Sequence, residues 1–295
     1  MPITDKYSKE FLESIPFKKA YTCFTYLVII VMKNPNDLLK TNWQKRIDKF
    51  KQNIDSWKSL PISLVGRINA IKMVALPQFL FLFQGIPFYI PQSYFKQLDS
   101  IIIPFIWSYK TVRIAKKHLC KPKMEGGFGL PLFKLYHWAT QLSIIAWWKN
   151  SPPADSDDCP AWLTLERSLC RSTSLPALLN SPTKVNKTAY SGSSIIASIL
   201  KIWSHIKRYI KAPGTFFDSP ICNNHAFTPG MSDFVFVMWQ ERGICDLNSL
   251  YIEGIFASFA QLQSLYSISA SNLFRYFQIR EFTKTHTQLS KQTLP

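Results

Sequence analysis

The chain has few acidic side chains, and its charge is unevenly distributed. Its 295 residues include 18 Asp and Glu against 35 Lys and Arg, a formal net charge of +17. Residues 1–150 carry 22 basic and 8 acidic residues, whereas residues 151–295 carry 13 and 10. An excess of this size predicts a polyanionic partner or surface. Its distribution places the candidate binding surface in the first half of the chain.

The cysteines are few and widely spaced. The six of them lie at least eleven residues apart, so the sequence has neither the cysteine pair of a zinc site nor that of a redox motif. Free, mostly buried thiols in a reduced compartment are therefore expected. Residues 1–20 mix apolar with acidic side chains and lack the pattern of a secretion signal. The sequence predicts a cytoplasmic or nuclear protein.

Long apolar runs are also missing. The most apolar stretch, residues 23–32, is ten residues long, whereas a membrane-spanning helix needs about 20. Its β-branched side chains favour a buried strand. We expect a short β hairpin or strand near residues 22–31 and no membrane partner.

No familiar catalytic or metal-binding pattern is present. The five histidines are scattered, and there is no His-Glu-x-x-His helix, nucleophile elbow or dinucleotide fingerprint. Two-metal phosphoryl transfer requires carboxylates held close together. The one adjacent acidic pair, Asp157-Asp158, lies in the proline-rich stretch 151–160, which is typical of a linker. The chain is therefore predicted not to be an enzyme and to use no cofactor or metal.

A helix of regular apolar spacing begins at Asn42. Its large apolar residues recur at alternating steps of four and three, so they share one face. They are Trp43, Ile47, Phe50, Ile54 and Trp57. The basic residues off that face are Lys45, Arg46, Lys49, Lys51 and Lys58. A helix that packs on one side and presents cations on the other suits a phosphate backbone, although a solvated charged face has the same pattern.

Two further helices are predicted in the basic half. Ser63 suits the N-cap of a helix over residues 64–76, which should end before Pro77. Gly66 inside it indicates close approach of another backbone, either that of a packed helix or that of a nucleic acid. Pro91 is predicted to open the next helix.

The stretch 107–124 alternates aromatic and basic side chains. They are Trp107, Tyr109, Lys110, Arg113, Lys116, Lys117, His118, Lys121 and Lys123, and no acid occurs before Glu125. A segment of this composition neutralises phosphates, and an exposed aromatic ring stacks on a base. The alternative is a solubilising loop with two core aromatics. The glycines that follow, Gly126, Gly127 and Gly129, suit turn positions of positive φ.

The second half of the chain predicts helices separated by polar spacers. The expected ranges are 135–149, 161–170, 193–210, 231–242 and 256–282, the last with a break near residues 267–271. The fold class is therefore mainly α, with strands near residues 22–31 only.

Short blocks across the first half, taken in order, are specific enough to name a family. They are Phe24-Thr-Tyr-Leu27, Trp57, Leu60-Pro61, Ser63-Leu-Val-Gly-Arg-Ile-Asn69, Ile71-Lys-Met73, Leu76-Pro77, Ile86-Pro87, Phe105-Ile-Trp107, Arg113-Ile114, Gly126-Gly127, Leu130-Pro131 and Tyr136. The chain resembles the LINE-type non-LTR retrotransposon reverse transcriptases of vertebrates, in the region just after the polymerase palm. Weaker similarity continues through Trp239, Gly243-Ile244 and residues 274–280.

The resemblance implies a helical thumb bundle followed by a helical connecting region. The implied domains are the end of the palm at 1–34, a basic thumb-like helical domain at 35–150, a linker with a short helix at 151–192 and the connecting region at 193–295. Thumb helices of the family contact the template–primer duplex. By position, this implicates Lys45, Arg46, Lys49, Arg67 and Lys72.

Two departures from the family bear on activity. The family's catalytic aspartate pair belongs upstream of this region and has no replacement here, so the resemblance implies a catalytically inactive chain. Val28 stands where the family usually has glycine, and a branched side chain at a position of close approach argues against a grip on the primer.

Three interpretations remain open at this point. The chain binds RNA or an RNA–DNA duplex without strong sequence preference through its basic half, or it is the remnant of a decayed element without selected function. The third possibility is a thumb supplied in trans to a separate reverse transcriptase. An apolar surface around residues 21–31, which would meet the palm in the family, also predicts self-association.

Overall fold

The structure, a computed structural model, describes residues 20, 22–150, 156–170, 174–180, 187–211, 219–224 and 226–286. The fold is mainly α, as the sequence predicts. The chain divides into two compact units, unit 1 (Met1–Gln141) and unit 2 (Leu142–Pro295).

Unit 1 has a β hairpin near its start, in the region where the sequence predicts one. Strand β1 (Cys23–Tyr26) pairs antiparallel with β2 (Ile29–Met32) across a two-residue turn. The turn residues Leu27 and Val28 both have positive φ, 44° and 72°. This is the pattern of a type I′ turn, in which Asn-Gly is the preferred pair. A β-branched residue in the second position is therefore strained.

The two strands of the hairpin differ in their surroundings. The side-chain amide of Asn42 binds the outer edge of β2, accepting from Ile30 N and donating to Ile30 O, both at 2.8 Å. Strand β1 is exposed along its length, and Tyr26 is 64% exposed. The expectation of a buried strand is wrong for both strands: β2 is only partly buried, because the first helix packs against it, and β1 is left as an exposed edge.

Helix α1 (Pro35–Lys58) carries the regular apolar face seen in the sequence. It begins seven residues before Asn42, where Asn34 caps it by accepting from Asn36 N. Of the five apolar residues on that face, Trp43, Ile47, Phe50 and Ile54 are buried and Trp57 is partly buried. The predicted face is confirmed.

The next helix runs through Pro77 instead of ending before it. It consists of α2 (Leu64–Ala70), a π-helical turn (Ile71–Ala75) and α3 (Leu76–Gly85). Proline normally clashes with the carbonyl four residues earlier and cannot donate to it. Here Leu76 N donates to Ile71 O, five residues back, so the widened turn accommodates Pro77 directly after it. The predicted helix end was wrong for this reason.

The continuous segment Leu64–Gly85 is long and apolar enough to cross a membrane by length and composition, and no other helix of the described residues is. In unit 1 its apolar residues Ile68, Ile71, Phe79 and Phe83 are buried against neighbouring helices. A Cβ on Gly66 would lie 2.6 Å from Ile62 Cγ2. The neighbour of this glycine is therefore the side chain of Ile62, and the expected close approach of another backbone is not found.

Three more helices complete the core of unit 1. They are α4 (Gln92–Ile106), α5 (Lys116–Cys120) and the first part of α6 (Phe133–Asn150), whose residues up to Gln141 belong to unit 1. The core is rich in rings: the Trp43 ring centroid lies 5.3 Å from that of Phe79 and 6.0 Å from that of Phe95. His137 of α6 joins it, with its ring 5.3 Å from Phe83.

Unit 2 is helical, with one small hairpin that the sequence analysis missed. Its described helices are α7 (Ala161–Leu169), α8 (Leu175–Asn180), α9 (Ser194–Tyr209), α10 (Pro229–Ser232), α11 (Phe234–Glu241), α12 (Phe259–Tyr266) and α13 (Leu273–His286). The hairpin joins β3 (Tyr251–Ile252) to β4 (Ile255–Phe256). The break expected near residues 267–271 is present, since Ser267 has a φ of 53° after α12.

All six cysteines are free, as expected, but Cys222 is the one that is fully buried. Cys23 and Cys245 are exposed and the other three are partly buried. The expectation of mostly buried thiols is therefore wrong.

The hairpin turn gives a first testable prediction. Val28→Gly should raise the free energy of unfolding by about 1 kcal/mol, because glycine adopts a φ of 72° without the steric cost that valine bears. Thermal and urea unfolding measure the change. Val31→Gly, the same substitution in extended strand β2, is the control and should destabilise. Equal shifts in both variants would contradict the strain argument.

A second prediction concerns His137, which is 1% exposed. Burial lowers its pKa to about 4, and a 3.2 Å contact between Nε2 and Phe88 O opposes the shift. The unfolded chain, with an ordinary pKa near 6.5, therefore binds more protons between pH 4 and 6.5. The free energy of unfolding should fall by up to about 3 kcal/mol as the pH drops through this window.

His137→Gln keeps an N–H donor for Phe88 O but does not titrate. Unfolding by urea at a series of pH values should show a smaller loss of stability between pH 6.5 and 4 in this variant. His118→Gln, at an exposed position on α5, should retain the wild-type pH dependence. An unchanged pH dependence in His137→Gln would refute the assignment.

Candidate nucleic-acid interface

An open groove of about 1020 Å³ lies in unit 1 beside the N-terminal half of α1. The hairpin lines it with Val28, Ile29 and Met32, and α3 adds Leu82. The remaining lining residues come from α1. They are Asp37, Lys40, Thr41, Asn42, Gln44, Lys45, Arg46, Asp48, Lys49 and Gln52. One side of the groove is therefore apolar, and the other is polar, with four basic and two acidic residues.

Lys45 and Lys49 are the exposed cations of this groove that the sequence analysis named. They lie four residues apart and so share one side of α1. Because the apolar face of α1 is buried in the core, both side chains point to solvent. Lys40, one of the remaining lining residues, is also exposed and extends the basic rim toward the start of the helix.

Little negative charge opposes these lysines. Residues 22–141 include 17 basic and 5 acidic side chains. In the described part of unit 1, one ion pair forms, between Lys116 Nζ and Asp99 Oδ1 at 2.5 Å. Of the two acids in the groove, Asp48 accepts a hydrogen bond from Gln44 Nε2 at 2.8 Å. The field of the groove is therefore positive.

Arg46 lies at the edge of the groove but is partly buried. Its Nη1 donates to Gln78 Oε1 of α3 at 3.3 Å, and burial lowers its pKa from the ordinary value. The guanidinium still carries its charge at neutral pH. Arg46 contributes to the positive field while it also ties α1 to α3.

Arg67 does not belong to the surface. It is 6% exposed, and its guanidinium donates from Nε to Ile62 O at 3.0 Å and from Nη1 to Phe105 O at 2.9 Å. The guanidinium also lies over the Phe105 ring, 5.1 Å from its centroid. Its role in unit 1 is to hold α2 to the end of α4, so we remove it from the interface.

Lys72 is likewise engaged inside unit 1. Its Nζ donates to Phe128 O at 3.1 Å. It also lies close to Gly129, since a Cβ added to this glycine would be 3.1 Å from Nζ. The π-helical turn that contains Lys72 is thereby joined to the glycine turn. Lys72 is partly buried, and we remove it from the interface as well.

The two aromatic residues predicted for stacking have different environments. Trp107 directly follows α4 and packs against the core. Its indole N–H is buried and has no hydrogen-bond partner. Tyr109 is 50% exposed, and Lys58 Nζ lies 4.6 Å from its ring centroid. Tyr109 alone is therefore accessible to a ligand.

Most of the predicted cations after Tyr109 are exposed. They are Lys110, Arg113, Lys117, Lys121 and Lys123. The exception is Lys116, which pairs with Asp99. The exposed cations of this segment form no ion pair in the described part of unit 1.

The glycine turn after Lys123 anchors the second half of this segment. Gly129 N donates to Lys121 O at 2.8 Å, and Leu130 N donates to Leu119 O at 2.8 Å. Gly126 and Gly129 have the expected positive φ, 76° and 63°. Gly127 admits no side chain, because a Cβ would lie 2.1 Å from Lys121 O.

The predicted residues do not all face the same way along α1. Lys45 and Lys49 line the groove, whereas Lys58 contacts Tyr109 near the end of the helix. Lys49 and Lys58 are nine residues apart, about two and a half turns, so they project from opposite sides of α1. The groove and the 107–123 segment are therefore two basic surfaces of unit 1.

Sequence reasoning missed the apolar side of the groove and the partner of Tyr109. The sequence does predict the hairpin and the basic helix separately. The packing of one on the other depends on Asn42, whose pairing with Ile30 has no local signal. The contact between Lys58 and Tyr109 joins residues 51 positions apart and has no periodic signature either.

No protein-family model matches the chain. Among the described residues, no group of three or more His, Cys, Asp or Glu side chains is placed to hold a metal ion.

A third prediction separates the structural cations from the surface ones. Arg67→Ala should lower the free energy of unfolding by about 3 kcal/mol, because a buried carbonyl, Phe105 O, and a partly buried one, Ile62 O, both lose a charged donor. Arg113→Ala, at an exposed position, is the matched control and should stay within about 0.5 kcal/mol of wild type. Urea unfolding compares them. Wild-type stability in Arg67→Ala would show that its two hydrogen bonds do not form in solution.

Proposed function

We propose that this chain is a non-catalytic binding module for RNA or RNA–DNA duplex, similar to the thumb of LINE-type reverse transcriptases. The observation that carries the proposal is the groove of α1, whose exposed Lys40, Lys45 and Lys49 have no ion pair in the described part of unit 1. The resemblance of the sequence blocks to LINE-type reverse transcriptases favours RNA or an RNA–DNA duplex as the nucleic acid. The positive balance of unit 1 supports the same partner.

The composition of the groove suits a sugar–phosphate strand. Lysine ammonium groups neutralise phosphates and release counterions, which makes affinity depend steeply on salt. The apolar side formed by Val28, Ile29 and Met32 offers contact for the sugars. A ligand with alternating charged and less polar parts therefore matches both sides of the groove.

Weak sequence preference is part of the proposal. Bases are read by side chains whose donors and acceptors are free to pair with base edges. Two of the amides in the groove are already engaged: Asn42 with Ile30, and Gln44 with Asp48. The exposed lysines bind charge and do not distinguish one base from another.

A pair of charge reversals tests the proposal. The double variant Lys45→Glu, Lys49→Glu should bind a labelled RNA–DNA duplex more weakly than wild type at low salt. Its slope of log affinity against log salt should fall by about 2, since each lost phosphate contact removes about 0.9. Fluorescence anisotropy across a salt series measures both quantities.

The matched control is Arg280→Glu, Lys284→Glu, two exposed cations on α13 of unit 2 with the same spacing of four. This variant has the same net charge as the first and should keep most of the wild-type affinity. If the two variants lose affinity equally, binding follows net charge alone and the groove is not the site. If wild type does not bind, the result favours the alternative that the chain is a decayed remnant without selected function.

A further inference from the structure

The backbone around Tyr109 is strained in an unusual way. Ser108 and Tyr109 are consecutive non-glycine residues with positive φ, 52° and 60°. Such conformations cost free energy and persist where the surroundings impose them, which is often at ligand-binding sites. Ser108 directly follows the C-cap Trp107 of α4, a position where left-handed backbone is common, so the positive φ of Tyr109 is the less usual of the two.

Backbone hydrogen bonds hold this conformation on both sides of the tyrosine. Ser108 N donates to Phe105 O at 3.1 Å, Tyr109 N donates to Pro104 O at 2.8 Å and Lys110 N donates to Trp107 O at 2.9 Å. The end of α4 is thus closed by three successive bonds. As a result, the backbone that carries the half-exposed Tyr109 ring is held in place on both sides.

The ring of Tyr109 contacts the ammonium group of a lysine. Lys58 Nζ lies 4.6 Å from the ring centroid, within the range of a cation–π contact. Among the described residues, no other aromatic ring contacts Tyr109. The ammonium group occupies part of the surface of the ring, and the exposed remainder is open to a planar ligand.

The charge around the ring decides what kind of ligand fits. Lys58 lies beside the ring, Lys110 follows Tyr109 in the chain, and Arg113 is a further exposed cation four residues after Tyr109. A cationic ligand, such as an alkylammonium group, would be repelled by Lys58. A planar ring can stack on Tyr109, and a phosphate attached to that ring is attracted by the surrounding cations. An unpaired nucleotide has this chemistry.

We propose that Tyr109 is a stacking platform for an unpaired base, with Lys58, Lys110 and Arg113 binding the adjoining phosphates. The partner class is then a nucleic acid with a single-stranded segment, because bases inside a duplex are already stacked. This inference rests on the proposed nucleic-acid function. It deepens that function, because the groove of α1 recognises only the backbone.

The test compares two RNA–DNA duplexes, one blunt and one with an unpaired extension that carries 2-aminopurine, whose fluorescence is quenched on stacking. Wild type should bind the extended duplex roughly tenfold or more tightly than the blunt one, the lower range expected for one stacked base. Binding should also quench the probe. Tyr109→Ala should lose the preference and the quenching, with the affinity for the blunt duplex unchanged.

Three further variants make the result specific to an aromatic ring. Tyr109→Phe should retain the preference, and Tyr109→Leu, which fills similar space without a π face, should lose it. Tyr136→Ala removes another exposed tyrosine of unit 1 and should behave as wild type. Circular dichroism and thermal unfolding establish that each variant is folded.

The outcomes separate this inference from the proposed function. Equal binding of both duplexes by wild type, or a preference that survives in Tyr109→Ala or Tyr109→Leu, would overturn the stacking site while the groove proposal stands. Binding of the unpaired extension with quenching, but no binding of the blunt duplex, would overturn the proposed duplex function and support Tyr109 as a single-strand site.

Discussion

The structure of unit 1 depends on the burial of the apolar face of α1. Trp43, Ile47 and Phe50 are each at most 1% exposed, and the Trp43 and Phe50 rings meet Phe79 of α3 at centroid distances of 5.3 and 6.1 Å. Burying side chains of this size contributes several kcal/mol in total. The rotation of α1 about its axis is thereby fixed. The exposure of Lys45 and Lys49 is a consequence of that rotation.

The buried face also explains which features follow from the sequence. The apolar spacing of α1, the Ser63 N-cap and the positive φ of Gly126 are local properties, and local patterns predict them. The helix through Pro77 is not predictable in this way. The proline predicts a helix end, and no local sequence signal predicts the π-helical turn that accommodates it. Nor does the sequence show that β1 is an edge strand, since burial depends on what packs against it.

The same limit applies to the candidate site. From the sequence, Lys45, Arg67 and Lys72 are equivalent basic residues on consecutive helices. The structure distinguishes them by the backbone carbonyls within their reach: Arg67 binds Phe105 O and Lys72 binds Phe128 O. Carbonyls at helix ends and in turns have few partners in their own element, so they can accept from a nearby cation; Phe105 O accepts from Ser108 N and also from Arg67. Cations near such carbonyls become part of the core, and cations far from them remain at the surface.

Within the described residues of unit 1, two places hold non-glycine residues at positive φ, and they differ in what holds them. At Val28 the hairpin closes with a two-residue turn that any Asn-Gly pair would satisfy better, and the strained side chain is exposed. At Tyr109 the strain is accompanied by three successive backbone hydrogen bonds and by Lys58 beside the ring. A residue whose backbone is held and whose side chain is accessible is partly pre-organised, so a ligand that stacks on it costs the protein less conformational freedom. The proposed stacking role would make use of the conformation at Tyr109, whereas at Val28 the groove needs only an apolar side chain, and the strained turn conformation reduces the stability of the hairpin.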